Sequence, residues 1–224
     1  VRRRLILFYL ITLLGLTFAL PVQADQLPTT PFSDSSASDA SQPSLTFSTK
    51  PSQRRHHYAI PQNTPVPLEG IRWPSKKVTI CMQTDDPHIQ QAFRDAVKRW
   101  NKTKAIHFRW IKNANKAEVI AQSGDLSDNS QSATVGYVTS QLGSTKTEFD
   151  PDTHTLIRAT STLDATQLDY TSRHFRSEVA QHELGHAIGL AHAPSYAHSV
   201  MIPRNIQTGI TKNDVKSVRM LYHD

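Results

Sequence analysis

Residues 182–192 read His182-Glu183-Leu184-Gly185-His186-Ala187-Ile188-Gly189-Leu190-Ala191-His192. On a helix, residues four apart lie one turn above each other on the same face, so His182 and His186 can bind one metal ion together. Glu183 is rotated by about 100° from His182, beside that pair, where a general base belongs. Gly189 tolerates a positive φ, which lets the helix end and the chain turn back. The turn would bring His192 to the same ion. Three protein ligands leave one tetrahedral position for water, which marks a catalytic rather than a structural zinc site. The pattern fixes five positions, and at this chain's His and Gly frequencies a chance match has odds on the order of one in ten thousand. The other histidines (His56, His57, His88, His107, His154, His174, His198 and His223) read as solvated side chains.

The 224 residues bound the chain to one domain plus extensions. Arg2, Arg3 and Arg4 precede an almost unbroken apolar run from Leu5 to Leu20, and Val22-Gln23-Ala24 supplies small residues before Asp25. This reads as a secretory signal over 1–24, the run being short for a membrane span. The formal net charge is +6, and half of it belongs to those three arginines. No basic stripe with interleaved aromatics appears, so a nucleic-acid partner is not indicated. The only cysteine, Cys81, lies in the apolar run Val78-Thr79-Ile80-Cys81-Met82. It can form no internal disulfide and reads as a buried strand residue, so the fold must stand on its core and its metal.

Residues 25–70 are rich in Ser, Thr, Pro, Gln and Asp and poor in large apolar side chains. Such a stretch cannot bury enough surface to offset its ordering entropy, and is expected to be a disordered linker or propeptide. Arg54-Arg55-His56-His57 within it reads as a solvated charge cluster. From Ile71 the pattern is that of a folded domain. Val78–Met82 is a predicted strand. Asp86 then serves as N-cap and Pro87 as first residue of a helix, with Ile89, Phe93, Ala96, Val97 and Trp100 on one apolar face. Strands are predicted at 106–111, 118–121, 133–138 and 156–160. A helical crossover between strands implies a parallel pair in an α/β layer. The active-site helix is expected over roughly Arg173 to Leu190. A last helix begins at the capping box of Thr211 and Asp214 and buries Val215, Val218, Leu221 and Tyr222.

The zinc pattern, followed nine residues later by Ser199-Val200-Met201-Ile202-Pro203, resembles the metzincin clan of zinc peptidases and their Met-turn. Arg72-Trp73-Pro74-Ser75-Lys76-Lys77-Val78-Thr79-Ile80 and Thr211–Tyr222 resemble the first strand and closing helix of the matrixin family within it. The resemblance implies a catalytic domain over 71–224. Its fold would be α/β (α+β): a twisted, mostly parallel sheet of about five strands with one antiparallel edge strand, and three helices including the active-site helix and a C-terminal helix. It implies metal ligands His182, His186 and His192, catalytic Glu183, and Met201 as an apolar floor beneath the metal. Residues 133–138 would be the edge strand to which a peptide substrate adds, and 202–210 would wall the pocket after the scissile bond, with Arg204 either narrowing that pocket or pointing to solvent.

Ala193 stands where matrixins usually carry Ser or Thr, and the Gly-rich loop for structural zinc and calcium is not recognisable in 123–150, despite Asp125, Asp128 and Asp150. One catalytic zinc is therefore expected, with calcium left open. The sequence contains no Pro-Arg-Cys-Gly segment for thiolate latency. These features fit a small bacterial-type secreted matrixin, expected to be a monomeric endopeptidase, extracellular or at the cell envelope, acting on protein or peptide. Two other readings stay open: a catalytically silent zinc-bound surface-binding module, and a zinc amidase acting on cell-wall peptides.

Overall fold

The computed structural model describes residues 57–126, 141–203 and 208–223, all within one compact unit, Pro51–Asp224. The segment 1–24, most of 25–70, the expected strand at 133–138, Asp128 and Arg204 lie outside the described residues.

Strand β1 (Lys77–Gln83) leads into helix α1 (Pro87–Lys102), followed by β2 (His107–Trp110), β3 (Val119–Gly124), β4 (Gly143–Asp150) and β5 (Thr155–Asp164). Three helices follow: α2 (Ala165–Leu168), α3 (Arg173–His186) and α4 (Lys212–Leu221). The sheet order is β2-β1-β3-β5-β4. β1, β2, β3 and β5 pair in parallel, and β4 runs antiparallel to β5 at the edge. This is the mostly parallel five-stranded sheet with one antiparallel edge that the family resemblance implies. The described antiparallel edge is Gly143–Asp150, a stretch for which the sequence predicted no strand.

The alternation of a pleated strand divides β1 between two cores. Val78 and Ile80 enter the main core with Val119 and Ala121 of β3, whereas Cys81 and Ile120 form a small cluster with Ala117. Cys81 is buried as expected. Helix α1 starts as its sequence demands: Asp86 Oδ1 accepts the Ile89 N–H at 2.8 Å, and Pro87 occupies the first turn, where no intrahelical donor is needed. Its apolar face of Ile89, Phe93, Ala96, Val97 and Trp100 is fully buried against the sheet and α3.

Two indoles tether the end of α3. Trp100 Nε1–H donates to the Gln181 carbonyl at 3.0 Å, and Trp73 Nε1–H to the Ala187 carbonyl at 2.8 Å. A buried indole needs such a partner, so each tryptophan fixes the helix in position as well as filling volume. The side chains from Arg176 to Gly185 are buried on every face of α3, which makes it the central helix of the domain rather than a surface one.

Residues 57–70 correct the disorder expected for the end of the 25–70 stretch. Val66 is fully buried, its N–H donates to Ser217 Oγ at 2.8 Å, and Ile60 and Leu68 pack on the main core. Pro67, Leu68 and Glu69 lie antiparallel to the turn after α3. A few apolar side chains at the right spacing, with backbone hydrogen bonds to an existing edge, suffice to order a stretch whose average composition is polar. Among the described residues, no helix is long and apolar enough to cross a membrane.

Candidate active site

Helix α3 ends at His186, one turn earlier than the sequence suggested, in a Schellman arrangement. Leu190 N–H returns to the Gly185 carbonyl at 3.0 Å and Gly189 N–H to the His186 carbonyl at 2.9 Å. Gly189 adopts φ +94°, and a Cβ there would overlap the Ile71 carbonyl oxygen. Both the backbone conformation and the space demand glycine. The turn carries His192 back over the helix end, as the spacing predicted.

The three imidazoles converge. Their available ring nitrogens lie within 4.8 Å of one another, and their ring centroids stand 4.9, 5.3 and 4.7 Å apart. His182 is buried, His186 partly so and His192 exposed, so the cluster opens to solvent on one side. The donor set fits zinc. The Nε2 atoms of His182 and His186 are 3.2 Å apart, and two nitrogens on one tetrahedral zinc stand roughly 3.3 Å apart at ordinary bond lengths. Each Nδ1 faces an acceptor: the Val200 carbonyl at 2.7 Å from His182, and the Leu190 carbonyl at 3.0 Å and Glu69 Oε1 at 3.1 Å from His186. These contacts place the proton on Nδ1 and leave the Nε2 lone pair free for a metal. Burial drives His182 down to about 4 and lowers His192 as well, so both are neutral near pH 7, the form a metal requires. Among the described residues, no second group of three metal-ligating side chains converges in this way.

Glu183 lies beside the cluster, buried, with Oε2 2.7 Å from Thr145 Oγ1 on β4. Burial raises its pKa, and the Thr145 hydroxyl opposes that rise. A hydroxyl both donates and accepts, so Thr145 can hold Glu183 in either protonation state. Gly143 passes so close that a Cβ there would overlap Glu183 Oε1. Met201 is fully buried under α3, its Sδ occupying the space that a Cβ on Gly185 would need. The turn bearing Met201 is held by Asp214, which accepts from Ser199 Oγ, from Val200 N–H at 3.1 Å and from Thr211 N–H at 2.7 Å. The Val200 peptide thus links α4 to His182. Thr145, Asp214 in this second role, and Glu69 escaped the sequence reading.

Among the described residues, the other histidines stay apart from the cluster: His88 pairs with Asp169 at 2.8 Å, and His174 with Glu178 at 3.2 Å; His56 lies outside the described residues. Asp125 and Asp150 join no metal-ligating group among the described residues.

A mostly parallel sheet with three imidazoles converging at the end of the domain's central helix frames a site able to hold one metal ion. Residues 72–223 match the Matrixin model of the M10 peptidases, and the chain belongs to the matrixin family. The chain is similar to the metalloendoproteinase 2-MMP of Arabidopsis thaliana, 29% identical over 196 residues. That match takes in 75% of this chain and 47% of the relative, so the chain spans about half the length of the curated protein it matches. Among solved structures, two of myroilysin are similar. One has a TM-score of 0.44 at 12% identity, covering 68% of this chain and 86% of the other; the second has 0.46 at 11%, covering 71% and 98%.

Proposed function

We propose that the protein is a secreted endopeptidase in which His182, His186 and His192 hold one catalytic zinc and Glu183 is the general base. The observation that carries this is the convergence of three imidazoles, each offering a ring nitrogen to a metal, beside one buried carboxylate. Zinc, when bound, supplies Lewis-acid polarisation of a peptide carbonyl and activation of water near neutral pH.

Glu183 takes a proton from the attacking water as its oxygen bonds to the carbonyl carbon, then delivers that proton to the amine nitrogen as the C–N bond breaks. Its raised pKa suits a group that must both accept and return a proton, and Thr145 keeps its carboxylate aimed. The outer side of β4 is free of a described strand, so an extended peptide can add there beside Gly143 and Thr145. Met201 serves as the apolar floor beneath the metal. Export rests on Arg2–Arg4 and the apolar run after them.

Replacing Glu183→Ala is expected to lower caseinolytic turnover by roughly 10²–10⁴-fold while zinc content is kept. Retained turnover in that variant would remove Glu183 from the mechanism.

A further inference from the structure

Glu69 lies three residues ahead of the stretch matched to the family, in a segment whose composition suggests disorder, yet its carboxylate touches a residue of the histidine cluster. Its Oε1 is 3.1 Å from His186 Nδ1. The backbone that carries it is fixed. Glu69 N–H donates to the Gly189 carbonyl and Ala191 N–H to the Pro67 carbonyl, both at 2.9 Å, and Leu68 bridges Leu190. Val66, just upstream, is buried and bound to Ser217 of α4. The segment therefore clamps the very turn that joins His186 to His192.

We propose that Glu69 is a positioning residue for the metal, its carboxylate orienting His186 and strengthening it as a zinc ligand. The proposal rests on the peptidase reading above. His186 Nδ1–H is shared between Glu69 and the Leu190 carbonyl, so Nε2 is left free to face His182 Nε2 at 3.2 Å. A carboxylate behind a ligand imidazole increases its basicity and adds attraction for the cation, which a neutral carbonyl supplies only weakly. His182, by contrast, donates to the neutral Val200 carbonyl.

The test is zinc affinity, measured by chelator competition on the full chain and on Glu69→Ala and Glu69→Gln. Outer contacts of this kind carry about 10–100-fold in metal affinity, and the Leu190 carbonyl remains, so Glu69→Ala is expected to weaken zinc by about 10-fold. Glu69→Gln keeps an acceptor without the charge and is expected to fall between. The metal-free variants should melt with the metal-free wild type, because the Glu69 side chain is 40% exposed. A purely structural residue would lower that melting point instead, and this result would overturn the proposal. So would zinc affinity within twofold of wild type in Glu69→Ala while the wild type binds zinc and cleaves peptide. A wild type that binds no zinc would overturn the peptidase reading itself and this proposal with it.

Discussion

Glu183 is set between two opposing influences, burial that raises its proton affinity and a threonine hydroxyl that lowers it. Thr145→Val removes the second and keeps the volume. The Glu183 pKa then rises further, so the acid limb of the kcat/KM profile is expected to move to higher pH, with the plateau shifting the same way. An unchanged profile would mean that Thr145 does not act on the base. The histidines, Glu183 and Gly189 could be read from sequence because they sit within eleven consecutive residues, where helical geometry converts spacing directly into proximity. Thr145 lies 38 residues from Glu183, and Glu69 lies 117 from His186. Only the sheet register and the clamp around the turn bring them there, and no local pattern encodes either.

At the scale of elements, the Schellman turn after α3 decides whether His192 reaches the cluster. Gly189→Ala imposes a Cβ at φ +94° and against the Ile71 carbonyl, so a loss of about 2 kcal/mol or more is expected in urea unfolding, together with weaker zinc binding. A variant as stable as wild type would show that the turn has room to relax. The elements visible in sequence were those with a strong apolar period or a cap: β1, α1 with Asp86 and Pro87, and α4 with its complete capping box at Thr211 and Asp214. β4 was invisible because Gly-Ser-Thr-Lys-Thr-Glu-Phe-Asp has one large apolar residue, Phe149, and that residue is exposed. An edge strand over a polar cleft need not alternate, so periodicity cannot find it. The ordered segment 57–70 was hidden for a related reason. Val66 and Leu68 dock it, yet Pro61, Pro65 and Pro67 break any helical or strand period around them.

At the scale of the whole molecule, the site makes the metal-free protein sensitive to acid. His182 titrates at about 4 in the folded chain, against 6.5 in its absence, so the unfolded state takes its proton first as pH falls. The stabilisation is complete above about pH 6.5 and is lost on descending toward pH 4, amounting to about 3 kcal/mol. Chelated protein should accordingly show a melting temperature that falls over that window, and His182→Gln should flatten the dependence. The central question is whether the matrixin domain uses this cluster to cut peptide bonds. Mass spectrometry of a proteome-derived peptide library, incubated with zinc-quantified protein freed of its N-terminal segment, reads this directly. New termini at internal peptide bonds are expected for protein holding one zinc, with none after chelation or in Glu183→Ala. Zinc-loaded wild type that leaves every peptide intact would contradict that use of the cluster.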